Sequence, residues 1–172
     1  MSDLQRIWIG CLASYNAGTL FGEWVDLTAP LSENEIQVEI DRILRESPEP
    51  EAEEWAIMDY EGFGDFDLGE NPDFEDLAAL VNGIDKHGEI FADYCEHIGK
   101  VDADAFDEAY QGECRDLGEW AEELAESAGW INKVPGHLRP YIDFDSMGRD
   151  AELSGDIFTI ERGGTVYVFW ND

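Results

Sequence analysis

Carboxylates crowd the middle of this sequence. From Glu46 to Asp85, through "EEWAIMDYEGFGDFDLGENPDFEDL", 14 of 40 residues are acids, most of them two or three positions apart, and no base intervenes. Carboxylates so placed can coordinate cations, work as an acid and nucleophile pair, or present a polyanionic face. A calcium loop needs oxygen ligands at positions 1, 3, 5 and 12 with glycine at 6. Counted from Asp102, positions 3 and 12 are Asp104 and Glu113, but 5 and 6 are Phe106 and Asp107; counted from Asp65, neither Gly62 nor Gly69 falls in place. His87, Cys95 and His97 are eight and two residues apart, and one helix does not bring such positions together as it does a pair four apart. An acid–nucleophile pair needs two environments that separate two pKa values, and nothing singles out two carboxylates among so many. The chain has no GxSxG, GxxxxGK or HExxH motif. The expectation is no enzyme, no catalytic residue, no metal and no cofactor.

The third chemistry fits the totals. The 172 residues hold 41 Asp and Glu against 10 Lys and Arg, a net charge of −31. Such a field repels nucleic acid, anionic membranes and acidic substrates and favours cationic partners. With 44% apolar and 12% aromatic residues, the chain can still bury a core. Cys11, Cys95 and Cys114 are an odd, widely spaced set, which points to reduced thiols. No run approaches the ~20 apolar residues of a membrane span. A soluble, cytoplasmic protein is expected.

The elements that must hold these acids are legible from periodicity. "RIWIGCL" and "GEWVDL" predict strands around an "SYNAG" turn in which Asn16 and Gly18 suit positive φ. "LSENEIQVEIDRIL" predicts a helix with Ser32 as N-cap, Glu35 closing a capping box, and Ile36, Ile40, Ile43 and Leu44 on one stripe. A proline-broken connection leads to a third strand, "EWAIMDYE". From Pro72 to Ser127 the pattern is helical, through "PDFEDLAALVNGI", "GEIFADYCEHIG", "DADAFDEAYQG" and "LGEWAEELAESAG". The last places Leu117, Trp120, Ala121 and Leu124 on one face. A short helix capped by Asp143 follows, and then a hairpin, "DIFTIERGGTVYVFW", turning at Arg162, Gly163 and Gly164. Val166, Val168 and Trp170 share one face of its second strand, with Tyr167 and Phe169 on the other, so both faces need cover, from this chain or a second copy. The fold class is α+β: an N-terminal three-stranded antiparallel sheet with a helix, an acidic helical middle, and a C-terminal α+β part ending in a hairpin.

Charge is concentrated in the middle, where residues 46–126 carry 27 acids and three bases. Like charges at helical spacing destabilise by about 0.2 to 0.5 kcal/mol per pair. The chain nevertheless repeats them at Asp104 with Glu108, Glu119 with Glu123, and Glu122 with Glu126. Duplex DNA carries about one charge per 1.7 Å of axis, so this net charge corresponds to roughly 50 Å of duplex, and that of a dimer to roughly 100 Å. Composition alone admits a nucleic-acid mimic and a generic acidic interaction or cation-binding module alike, with a halophile-type surface behind both. On the mimic reading the candidate contact residues begin with Glu51, Glu53, Asp65, Asp67, Glu70, Asp73, Glu75 and Asp76. They continue through Asp85, Glu89, Asp93, Glu96, Asp104, Asp107, Glu108, Glu113 and Asp116. Glu119, Glu122, Glu123 and Glu126 end the series.

The motifs add a resemblance. "IWIGCLASYNAGTLFGEWVD", "EEWAIMDYEGF", "FDEAYQGE" and "YIDFDSMGRDAEL" followed by "VYVFWND" resemble, in order and spacing, the ArdA family of antirestriction proteins. The resemblance spans nearly the whole chain. It implies a non-enzymatic DNA mimic carried by mobile elements, acting as an elongated dimer in the DNA-binding groove of type I restriction-modification enzymes, on the specificity and methyltransferase subunits. It also implies three domains, 1–61, 62–103 and 104–172. The family's antirestriction segment then falls at Leu117 to Ile131, and the third domain supplies a dimer contact, for which Trp130, Ile131, Tyr167, Phe169 and Trp170 are the candidates. Neither a nucleic-acid nor a membrane partner is implied.

Overall fold

The computed structural model describes residues 4–171 and divides into two compact units, residues 1–103 and 104–172. In the first, strands β1 (Gln5–Cys11), β2 (Gly22–Leu27) and β3 (Trp55–Glu61) form an antiparallel sheet in the order β2-β1-β3. Between β1 and β2 the chain makes a five-residue helix, α1 (Leu12–Asn16), where the sequence suggested only a turn. Gly18, at φ +87°, takes the left-handed position alone; Asn16 does not. The Ala17 N–H reaches Ala13 O at 3.1 Å, and this bond closes the extra helical turn.

Helix α2 (Glu33–Glu46) covers one face of that sheet with Ile36, Ile40 and Ile43, which pack with Ile7, Ile9, Val25 and Leu27 in a dry core. Its start is fixed as the sequence predicts: Glu35 Oε2 accepts from the Ser32 N–H at 2.9 Å and from the Ser32 hydroxyl at 2.8 Å. Strand β3 breaks strict alternation. Trp8 pairs with Asp59 and Ile9 with Ile57, so Met58 is the extra residue of a bulge, and Ala56 and Ile57 are buried in succession. Helices α3 (Phe74–His87) and α4 (Ile90–Ile98) complete the unit, burying Leu77, Leu80, Val81, Ile84 and Phe91. The Asn82 side chain joins α3 to the connection before α2, accepting from Leu31 N at 2.8 Å and donating to Leu31 O at 2.9 Å.

The second unit opens with α5 (Ala103–Ala109). The expected helix stops there, because Tyr110–Cys114 forms a strand, β4, paired antiparallel with the far end of the chain. Helix α6 (Leu117–Ser127), two short 3-10 turns at Trp130–Lys133 and Arg139–Tyr141, and α7 (Phe144–Ser154) lead to the hairpin β5 (Ile157–Arg162) and β6 (Thr165–Trp170). Gly163 at φ +58° and Gly164 at +83° form the two-residue turn, and Arg162 faces Thr165 across it. The strand order is β4-β6-β5, which makes β6 the centre of a sheet. Each face of β6 buries one residue fully, Val168 on one and Phe169 on the other. Val168 packs with Trp120, Ala121 and Ile157 in a core flanked by Leu117, Leu124, Phe144 and Met147. Phe169, on the other face, lies among Phe106, Tyr110 and Phe158 at ring-centroid distances of 5.2 to 5.5 Å.

Candidate functional site

The amphipathic helices place most candidate carboxylates in solvent. In α6, burial of Trp120, Ala121 and Ala125 against the second sheet forces Glu122, Glu123 and Glu126 outward, and among the described residues none of the three side chains makes an ion pair or hydrogen bond. Helix α3 exposes Glu75, Asp76 and Asp85 by the same logic, and α5 exposes Asp104, Asp107 and Glu108. Glu51, Glu53, Asp65, Glu70 and Glu113 are exposed on connections and on β4, while Glu89, just before α4, is half-buried.

Six candidates also bind the chain's own backbone. Asp73 caps α3, accepting from the N–H groups of Glu75 at 2.9 Å and Asp76 at 3.2 Å. Asp116 caps α6 through the Glu119 N–H at 2.9 Å, and Glu119 reaches back to the Arg115 N–H at 2.7 Å. Those bonds, first from the Glu119 N–H and then from the Arg115 guanidinium at 3.1 Å, hold the Asp116 carboxyl below its ordinary range. Asp67 accepts from Gly69 N, and Glu96 from Asp67 N, so each closes a stretch of the acidic loop.

Asp93 is the clear departure from expectation. It is only 5% exposed and accepts from the Asp65 N–H at 2.8 Å, so it anchors the loop from below and offers solvent almost no charge. Burial raises its pKa, with the Asp65 N–H pulling the other way. Helical periodicity could not have flagged this, because Ile90 to Cys95 are buried in succession and no exposed stripe separates Asp93 from its neighbours.

Two arginines lie against acids outside the candidate set. Arg42 gathers Glu23, Glu39 and Glu46 at 2.8, 3.0 and 3.3 Å. Arg6 bonds Glu61 at 2.7 Å and lies over the Trp24 ring at 4.5 Å. The exposed acids not picked out in the sequence include Glu54 and Asp59, the latter on β3 just beyond the bulge.

The residues proposed for self-association are divided. Trp130, Ile131 and Tyr167 are half-buried, and Ile131 lines a hollow of about 580 Å3 with Glu122, Glu126 and Arg139. Phe169 is fully buried and has no surface to give to a second copy, whereas Trp170, packed edge-on against Trp120 at 6.0 Å, is half-buried. The aromatic burial that the sequence left open between two chains is met largely within one. Among the described residues no group of three or more His, Cys, Asp or Glu is arranged to hold a metal ion. No helix of the described residues is long and apolar enough to cross a membrane.

No curated protein sequence matches the chain significantly. A family model described as "Antirestriction protein (ArdA)" matches residues 7–166.

Proposed function

The chain belongs to the ArdA antirestriction family, and on that premise we propose that it blocks restriction as a mimic of B-form DNA in the DNA-binding groove of a type I restriction-modification enzyme. The observation that carries this reading is the division of labour in α6. Its inner face is locked into an aromatic core, and Glu122, Glu123 and Glu126 stand unpaired on its outer face. Carboxylates on successive turns lie about 5 to 6 Å apart at Cβ, close to the spacing of phosphates along a strand. A rigid core holds them there against mutual repulsion, and lysines of the specificity and methyltransferase subunits that hold phosphates would meet carboxylates instead.

Because phosphate contacts position a duplex without reading its sequence, such a surface blocks enzymes of different recognition sequence alike. Self-association through the third domain, 104–172, belongs to the same reading, as do the division of residues 1–103 at about residue 61, carriage on a mobile element and action in the cytoplasm. For the dimer contact, Trp130, Ile131, Tyr167 and Trp170 are the residues with surface to contribute.

The test is protection of unmodified DNA from a type I enzyme by the wild-type chain and by the triple variant E122K/E123K/E126K. The three positions are solvent-exposed and Glu119 is left in its capping role, so the variant should fold. The reading expects the variant to lose most of its protection while E122Q alone stays near wild type. A folded triple variant that still protects fully places the contact surface elsewhere.

A further inference from the structure

The first unit carries a feature that the acidic helices do not use. Strand β2 is an edge strand, and its outer side faces a groove of about 500 Å3 shared with helix α2. Register decides which backbone groups point into it. The Cys11 N–H donates to Phe21 O at 2.9 Å, and Gly10 faces Gly22. In an antiparallel ladder bonded and non-bonded pairs alternate. Ile9 with Glu23 and Ile7 with Val25 therefore exchange hydrogen bonds, while at Trp8 with Trp24 and Arg6 with Asp26 the β2 groups turn away from β1. The N–H and C=O of Trp24 and Asp26 stand at the open edge, with no partner strand on that side among the described residues.

The walls of the groove are as specific as its edge. On the α2 side are Val25, Leu31, Ile36 and Val38, and Val38 is 54% exposed although it is a valine on a helix surface. Around them stand Asp26, which faces Arg6 across the ladder, Glu35, which accepts from Ser32, and Glu39, which Arg42 meets at 3.0 Å. Asp26 is exposed on the sheet face opposite to buried Val25 and Leu27. A strand laid along β2 would thus turn alternate side chains to an apolar strip flanked by Glu35 and Glu39, and the others to the face that carries Asp26 and the Trp24 ring. An unprotected, partly apolar edge is a hazard unless something covers it.

We propose that this edge and groove form a docking site for an extended, cationic peptide segment of another protein, in which apolar residues alternate with Lys or Arg. The segment adds a fourth strand to the sheet by bonding Trp24 and Asp26, seats its apolar side chains against Val38 and Leu31, and sets its cations on the Asp26 face. Charge selects this occupant over a second copy of the chain. Two β2 edges brought together would oppose Asp26 to Asp26 or its neighbours, within molecules of net charge −31 each. The site uses none of the candidate carboxylates, and the proposal does not rest on DNA mimicry.

The probe is a capped heptapeptide of alternating lysine and valine, titrated against the full chain while amide hydrogen exchange is followed residue by residue. A strongly acidic protein attracts any polycation, so the controls must separate adhesion from docking. One is an N-methylated version of the same peptide, with the same charge and no backbone donors. The other is Val38→Lys, an exposed change that adds one charge in the groove. Docking predicts that the peptide slows exchange at Trp24 and Asp26 at least tenfold. It also predicts that N-methylation and V38K each weaken binding at least tenfold at fixed salt. Equal binding of the N-methylated peptide, or protection spread over the acidic helices and missing from β2, overturns the proposal as non-specific adhesion. Protection of Trp24 and Asp26 that grows with protein concentration without peptide overturns it in favour of self-association.

Discussion

At the scale of single residues, the acids of this chain do two kinds of work, and Asp93 and Asp143 mark the contrast. Asp93 is buried under its own loop with its carboxyl pushed above the ordinary range, so its charged form is the costly one in the fold. Its contribution to stability therefore increases as pH falls through the raised value, and levels off below the unfolded value of about 3.9. Asp93→Asn keeps an acceptor for the Asp65 N–H and should flatten that part of the pH profile in urea unfolding. Asp93→Leu removes the acceptor and should cost about 1 to 3 kcal/mol. Asp143 is the opposite case. The Ser146 N–H at 2.9 Å and then its hydroxyl at 2.7 Å hold the carboxyl below the ordinary range. The stability from this exposed cap is present above the unfolded pKa and is lost as pH falls through the lowered value. Carboxyl NMR titration should show the depression, and Ser146→Ala should partly relieve it. The cap of Asp143 was legible in the sequence because a cap acts locally. The burial of Asp93 depends on what packs over α4, and a count of acids hides it.

At the scale of elements, the parts read correctly from sequence are those whose signals are local. Ser32 with Glu35 starts α2, and two glycines turn the β5–β6 hairpin. Strand β4 was missed because Tyr110–Cys114 continues a helical pattern, and its strand state comes from pairing with β6, more than 50 residues away. That pairing resolves a puzzle already visible in the sequence, since a strand apolar on both faces is explained once it lies at the centre of a sheet. The short α1 was missed for a similar reason: "SYNAG" has the composition of a turn, and one extra backbone bond makes it helical. The packing of α7 on α6 rests on a close approach in which a Cβ at Gly148 would run into the Leu117 carbonyl oxygen. A backbone atom cannot swing aside, so Gly148→Ala should destabilise by about 1 to 3 kcal/mol despite its favourable helix propensity, measured by thermal or urea unfolding. Should the variant match wild type, the α6–α7 contact is looser than drawn here, and with it the rigidity attributed to the outer face of α6.

At the scale of the whole molecule, the net charge of −31 is the property that demands a reason. The protein concentrates its acids between Glu46 and Glu126, and several of its bases lie against acids outside the candidate surface. A halophile-type surface would need high salt to stay folded, whereas this chain, with dry cores behind its acidic faces, should keep its far-UV circular dichroism at about 0.1 M salt. Added salt should instead weaken its complex with a target, since exposed charges are screened beyond a Debye length of about 10 Å at 0.1 M. The acid-rich plan was legible from composition and the family from its motifs; which carboxylates stand free and which brace the backbone became visible only with the fold. The most direct test of the account is competition between this protein and a labelled duplex for the methyltransferase core of a type I enzyme. The account predicts stoichiometric displacement of the duplex, weakened by salt and largely lost in E122K/E123K/E126K. Failure of the folded wild-type protein to displace the duplex at low salt would contradict it.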